Sequence, residues 1–431
     1  MINKQEYDVI VVGSGVGGST VAREMARRKK KVLLLESGVR VNMLGSILSL
    51  PLMLRNFGVT MSKEGYFVNF AKTYGGASNI AAGAAFPAPK SMFDPFGIDL
   101  TAETEEARKD LWIQKLPDRL IGKGNLRLME AANDAGENWG KLDNFIDPNL
   151  CEEGCTECMV GCKRGAKWTA RVFGDEAVKN GAELKLGTTV KRVLTEGGQV
   201  VGVVTSKGEE FHGKSVVLSA SLSNAYLLRD LGISDAGKGF CCDWLQFVGA
   251  VIPGISTTTK DNPMTVGSAE HWEEDGFVLV PVMPNWLLFG GLLMFQPSTI
   301  GHFPDFWRMS GIMVKIRDET RGELLGGTSF SKPITRADQL KLDKGKGIIK
   351  KIFKKAGAKD NSIVEVKPLG AHPSCTCRIG DVVDSNLETK IRNLYCCDAS
   401  VLPQAMGAPV VWTLAALGKR LAKHLDTRLG Q

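Results

Sequence analysis

An α/β fold, with a three-layer nucleotide-binding domain interleaved along the chain with an α+β substrate domain on a mostly antiparallel sheet, is predicted by three features of this 431-residue sequence. Near the start, Tyr7-Asp8-Val9-Ile10-Val11-Val12 runs into Gly13-Ser14-Gly15-Val16-Gly17-Gly18, and Lys31-Val32-Leu33-Leu34-Leu35 then delivers Glu36. Far along the chain, Ser215–Ala220 and Asn393–Asp398 return to the same apolar strand pattern. Between about Gly239 and Pro368 the pattern changes to aromatic-rich strand and loop segments carrying Trp244, Trp272, Trp286 and Trp307.

The first block is a dinucleotide-binding βαβ unit. Its G-x-G-x-x-G spacing alone would fit many glycine-rich loops, but the context is specific: an apolar strand before it, a helix-like Ser19–Arg28 with Val21, Ala22 and Met25 on one face, and a second strand ending in an acid at ribose distance. Gly13 allows the tight turn, Gly15 lets backbone approach a pyrophosphate, and Gly18 lets helix and strand pack closely. The helix N-terminus supplies N–H groups and positive dipole to phosphate.

Tyr74-Gly75-Gly76-Ala77-Ser78-Asn79, followed by Gly83, is a small-residue turn that a bound group can approach. Ala102 to Gly140 reads as largely helical, and Thr169–Lys179 as one further helix. Ala182–Leu186 and Thr189–Leu194 flank Gly187, and Gln199–Ser206 forms a hairpin arm with the latter around Gly197-Gly198. Asn224–Leu231 and Val410–Leu425 are helical, the latter behind Pro409, placed by the sequence in the first helical turn.

The composition, 43% hydrophobic and 23% charged, is that of a globular protein. The formal net charge of +7 is scattered, with short clusters at Arg27–Lys31 and Lys344–Lys355 that read as solvated helix faces, so nucleic acid is not an expected partner. Met1–Glu6 lacks the apolar core of a signal peptide, which predicts a cytoplasmic protein. Phe277–Phe295 is uncharged but interrupted by Pro281, Pro284 and Gly290-Gly291, so buried strands are expected rather than a membrane span. Met43–Met61 reads as a short helix or lid. Contact of either stretch with the cytoplasmic membrane face is the alternative to ordinary core.

Ten cysteines favour metal or redox chemistry in a reducing compartment over a disulfide framework. Cys151, Cys155, Cys158 and Cys162 form C-x3-C-x2-C-x3-C, four thiolates in one short loop. A [4Fe–4S] cluster is the first expectation for them; zinc and free or disulfide cysteines are the alternatives. Cys241-Cys242, Cys375, Cys377 and Cys396-Cys397 lack ligand spacing within their segments and read as small core residues.

Four separated stretches resemble the glucose–methanol–choline (GMC) flavoprotein oxidoreductases: Gly13–Glu36, Gly75–Asn79, His372-Pro373 with Thr376–Gly380, and Asn393–Pro403 followed by Gly407 and Thr413. The resemblance covers both ends and the middle sheet and fades between about Gly239 and Pro368. It implies FAD, with Glu36 on the adenosine ribose, Gly13, Gly15 and Gly18 at the pyrophosphate, and Val190 near the adenine. Gly75, Gly76, Ser78 and Asn79 belong to the same cofactor site, Asp398 and Ala399 lie along the ribityl chain and pyrophosphate, and Pro409 and Val410 open a helix aimed at the flavin N1–C2=O edge. It also implies that His372 accepts a hydroxyl proton while a hydride passes to flavin N5; histidine suits the task because its pKa lies near working pH. One departure stands out. Pro409 occupies the position where the family's second catalytic histidine or asparagine belongs, and it has no side-chain hydrogen bond to offer. Gly161–Lys167 is also similar to a stretch in sterol and long-chain alcohol members, whose cysteines need not bind a cluster.

The resulting expectation is an FAD-dependent dehydrogenase of an apolar alcohol, of sterol, long-chain or isoprenoid type, passing electrons through a [4Fe–4S] cluster to a protein or quinone acceptor. The alternatives are a flavin and iron–sulfur reductase or desaturase acting on a carbon–carbon bond, and an electron-transfer subunit of a larger redox complex. The expected layout is cofactor domain at 1–100, helical insertion at 101–150, cysteine loop and second cofactor segment at 151–238, substrate domain at 239–368, and C-terminal cofactor segment with His372 at 369–431.

Overall fold

The computed structural model describes residues 6–42, 45, 59–257, 261–282, 296–326 and 329–430. Its first sheet is built on β1 (Glu6–Val12), whose residues from Val9 onward are almost all buried, and on β2 (Val32–Leu35), buried throughout. Such unbroken apolar runs suit a parallel sheet covered on both faces. The strand order is Glu183–Lys185, β2, β1, Glu210–Leu218, Gln199–Thr205, Val190–Glu196. Leu394–Cys396 also pairs in parallel with the Val216–Leu218 end of Glu210–Leu218, while Gln199–Thr205 and Val190–Glu196 add antiparallel to its start. The hairpin turns at Gly197 and Gly198, both at positive φ as its sequence requires. Helix α1 (Val16–Arg27) packs on the Ala170–Lys179 and Val411–Leu429 helices, all three close to their expected bounds.

The second sheet runs Phe277–Pro281, Met309–Ile316, Trp244–Val251, Leu369–Gly370, Phe67–Asn69, Val59–Met61, antiparallel except where Leu369–Gly370 meets Phe67–Asn69. The long Arg336–Lys355 helix covers it, its N-terminus closed by a capping box between Thr335 and Asp338. Val59–Met61 is a strand, where the sequence suggested the end of a helix or lid; pairing with Phe67–Asn69 prevails there over the apolar run. The rest of that stretch, apart from Gly45, and residues 283–295 with Trp286, lie outside the described residues. Phe277–Pro281 is a buried strand, as its proline-broken pattern predicts. Among the described residues no helix is long and apolar enough to cross a membrane.

Candidate active site

The glycine turn is shaped by contacts that exclude a side chain at three positions. Gly13 sits at φ +104°, and a Cβ there would lie 2.2 Å from the Ser219 carbonyl oxygen. A Cβ on Gly18 would lie 2.0 Å from the Gly13 oxygen, and on Gly17, a position the fingerprint leaves open, 1.9 Å from the Cys397 oxygen. Gly15 is different. Its φ of −63° and ψ of −174° suit any residue, and a Cβ there would meet nothing within 4 Å. Gly15 also caps α1 without a side-chain hydrogen bond, so the first N–H groups of the helix are left to a ligand.

A second turn closes over the first. Gly75 and Gly76 both have positive φ, a Cβ on Gly76 would come 3.1 Å from Gly15 Cα, and the Gly75 N–H donates to Ser14 Oγ at 3.0 Å. Glu36 ties the turn to β2: Oε2 accepts from the Ser14 N–H (2.9 Å) and hydroxyl (2.6 Å), Oε1 from the Gly38 N–H (2.6 Å). Ser78 donates to the Gly75 carbonyl and accepts from the Ala170 N–H. Asn79 donates to Tyr74 and Gly76 carbonyls, while its buried Oδ1 has no partner. Asp398 lies behind the turn, accepting from Ser400, Ser221 and Asn224; burial pushes its pKa up despite these bonds. Val190 opens the outer strand of the hairpin. A bare helix N-terminus, an unhindered glycine and an orphaned amide oxygen on two adjoining turns fit a dinucleotide cofactor.

His372 follows the short Leu369–Gly370 strand, which pairs with Trp244 and Leu245. The Ala371 and His372 N–H groups both donate to the Cys242 carbonyl, so the ring is brought against Asp243, 129 residues earlier. Nδ1 lies 2.9 Å from Asp243 Oδ2, and the histidine side chain keeps 27% of its surface exposed. Burial and the nearby Lys315 ammonium lower the His372 pKa, opposed by Asp243 and the Ala408 carbonyl. Asp243 is fully buried, which would raise its pKa, but Lys315 and His372 outweigh burial and hold it ionised. An ionised carboxylate only accepts, so Nδ1 carries the hydrogen and Nε2 the lone pair. The sequence did not single out Asp243. Nothing but strand register joins it to His372.

Pro409 stands just before the Val410 N-cap of the Val411–Leu429 helix rather than inside its first turn, and that helix, like α1, has no side-chain cap. The turn before it requires Gly407, at φ +67°, where a Cβ would lie 2.7 Å from the Arg317 nitrogen.

Cys151, Cys155, Cys158 and Cys162 line one shallow recess, together with Ile146 and Lys167. Burial, then the neighbouring thiols, pushes Cys151 up to about 11. Cys158 is pushed up to about 12 by burial, with Lys167 opposing. The buried Lys167 ammonium donates to the Cys158 carbonyl (2.7 Å) and to those of Asn79 (2.9 Å) and Ala81 (2.6 Å), joining the thiol loop to the second glycine turn. Zinc tetrathiolate would hold its sulfurs roughly 3.8 Å apart, given zinc–sulfur bonds of about 2.3 Å. Among the described residues the set of three or more ligand side chains within 4.8 Å of one another is Glu137, Glu270 and His271, not the cysteines. That set needs no ion: His271 Nδ1 lies 2.6 Å from Asp275 and Nε2 2.9 Å from Glu137, and although burial opposes its charge, the two carboxylates raise its pKa. The sequence reading missed this cluster, whose members are 134 residues apart.

Fold and site together define a nucleotide-dependent α/β oxidoreductase. The sequence profile of the GMC oxidoreductase family matches residues 7–263 in its N-terminal part and 334–418 in its C-terminal part, and the chain belongs to that family. It is accordingly an FAD-dependent oxidoreductase. An uncharacterised protein of Methanocaldococcus jannaschii is 25% identical over 97% of this chain and 100% of its own. An Arabidopsis thaliana long-chain-alcohol oxidase is 23% identical over 98% of this chain and 68% of its own. Among solved structures, a pyridoxine 4-oxidase from Mesorbium loti superposes with a TM-score of 0.73 at 18% identity, covering 98% of this chain and 99% of its own. An Aspergillus oryzae formate oxidase does so at 0.70 and 15%, covering 99% of both chains.

Proposed function

We propose that this protein oxidises the CH–OH group of an apolar alcohol, of sterol, long-chain or isoprenoid type, with His372 as the base. The observation that carries the reading is the His372–Asp243 contact, which leaves Nε2 with the free electron pair a base needs. His372 takes the hydroxyl proton at Nε2 as the carbinol carbon gives up its hydride. FAD, when bound, supplies the two-electron acceptor for that hydride.

Gly13, Gly15 and Gly18 with the α1 N-terminus would receive the pyrophosphate, Glu36 the ribose, and Val190 the adenine. Gly75, Gly76, Ser78 and Asn79 would close over the cofactor. Asp398 and Ala399 would flank the ribityl chain, and the helix behind Pro409 and Val410 would face the ring edge where negative charge gathers. Residues 1–100, 151–238 and 369–431 would form the cofactor domain; 101–150 and 239–368 would form the substrate side. An apolar substrate is supported by the buried, aromatic-rich second sheet and by the long-chain-alcohol oxidases among the relatives.

Cys151, Cys155, Cys158 and Cys162 would hold a [4Fe–4S] cluster, offering electrons a one-at-a-time exit toward a protein or quinone acceptor. Their shared recess, and the Lys167 link to the Gly75–Asn79 turn, support that placement.

Pro409 favours the second reading, reduction or desaturation of a carbon–carbon bond, because it removes a polar partner for the alcohol oxygen. Anaerobic mixing of the FAD-loaded enzyme with dodecanol, geraniol and cholesterol, and of its chemically reduced form with an enone, separates the two. Bleaching of the flavin by an alcohol, with the aldehyde or ketone found by mass spectrometry, is the expected result. Enone-driven reoxidation with no response to any alcohol would replace the first reading by the second.

A further inference from the structure

We propose that Asp243 and Lys315 are positioning residues for His372, a buried acid–lysine pair set behind its Nδ1 edge. The inference rests on the reading of His372 as the base. Asp243 and Lys315 are each 1% exposed, so their interaction is not dissipated into water. Asp243 Oδ2 lies 2.9 Å from His372 Nδ1 and 3.3 Å from Lys315 Nζ, while Oδ1 accepts the Gly407 N–H at 2.8 Å. One carboxylate therefore fastens both the ring and the turn that leads to Pro409.

Strand register puts the three groups together. Lys315 lies opposite Leu245 in the second sheet, two positions along from Asp243, and the next strand turns into His372. Asp243 itself sits at φ +48°, a left-handed conformation that aspartate adopts more readily than most residues. Among the described residues the Lys315 ammonium makes no hydrogen bond, and the carboxylate paired with it is that of Asp243. Beneath them, Lys332 and Asp318 form a separate, fully buried pair at 2.7 Å, and Asp318 accepts the N–H groups of Cys242 and Asp243. That pair neutralises itself and clamps the backbone of Asp243. Among the described residues Lys315 is the ammonium beside Asp243, and His372 need not be protonated at rest to satisfy that charge.

The consequence is a division of labour. Asp243 fixes the Nδ1–H tautomer and steadies the imidazolium that forms when Nε2 takes a proton. Burial, with the Lys315 charge adding to it, keeps the ring neutral beforehand. The other group facing the ring, the Ala408 carbonyl, favours the charged form and is opposed by the same lysine.

The test uses FAD-loaded protein with ¹⁵N-labelled histidine, whose five histidines are few enough to assign by loss of one signal in His372→Gln. Wild type should show His372 as the neutral Nδ1–H tautomer. Asp243→Asn should abolish that preference, and Lys315→Met should move the titration midpoint of His372 upward, in protein that retains flavin and melts cooperatively. Asp243→Asn should also slow flavin reduction by the most reactive alcohol about 10²–10⁴-fold, the range for a disabled general base. If His372→Gln slows reduction but neither variant changes tautomer or midpoint, the positioning role is refuted while the base stands. If His372→Gln leaves reduction unchanged, the base itself falls, and the positioning role with it. Should Asp243→Asn fail to retain flavin, the Lys315→Met midpoint decides alone: upward supports the pair, unmoved refutes it.

Discussion

Replacing Gly15 with leucine separates cofactor binding from folding, because the structure gives this glycine no internal reason to be one. Its dihedral angles suit any residue, and a Cβ meets nothing within 4 Å. Two small effects on the apoprotein oppose each other. Losing glycine at an N-cap costs about 1 kcal/mol. Restricting the unfolded chain returns roughly 0.4–1 kcal/mol. The net change should stay within about 1 kcal/mol. Gly17→Ala is the contrast: its Cβ would lie 1.9 Å from the Cys397 carbonyl oxygen, so helix and strand must separate, at a cost of about 1–3 kcal/mol or more. The assay is urea denaturation of both apoproteins alongside flavin content by absorbance after loading. Leucine at 15 should leave the apoprotein midpoint near wild type and abolish flavin retention. It should also remove the ligand contribution to stability, about 4 kcal/mol when free FAD is a thousandfold above its Kd. Stoichiometric flavin in a folded Gly15→Leu protein would refute the assignment of this turn.

Anaerobically purified protein should contain about four irons and four sulfides per chain, lost together in Cys158→Ser, as acid-labile sulfide and metal analysis will report; stoichiometric zinc without iron would leave a structural metal loop instead. The His271 cluster gives a pH-dependent stability of defined sign. Its folded pKa is raised by Glu137 and Asp275, so its contribution is complete below the unfolded value near 6.5 and is lost as pH rises through the folded pKa. The melting-temperature deficit of His271→Gln should therefore be largest at pH 6 and shrink at pH 9, and a deficit that grows with pH would reverse the assignment.

The cofactor half of the fold was legible because its signals are local. Apolar runs, a glycine turn and an acid at fixed spacing lie within 30 residues of one another, and a parallel sheet demands that pattern. Gly17 escaped notice because its constraint comes from Cys397, a contact no short motif contains. The same holds for Asp243 and Lys315, brought together by strand register across more than 70 residues, and for His271, whose partner Glu137 lies 134 residues earlier. The apolar Met43–Met61 stretch misled at its end because a three-residue strand carries too little periodicity to be told from a helix. The four cysteines line one recess, as four within 12 positions of a loop can, but their sulfurs do not gather as closely as the sequence pattern suggested.

The most direct test of the proposed chemistry is rapid anaerobic mixing of FAD-loaded wild type and His372→Ala with an apolar alcohol, following flavin absorbance. The expected result is fast bleaching in wild type and a loss of about 10²–10⁴-fold in the variant, with flavin content unchanged. Equal bleaching rates in the two proteins would contradict the assignment of His372 as the base.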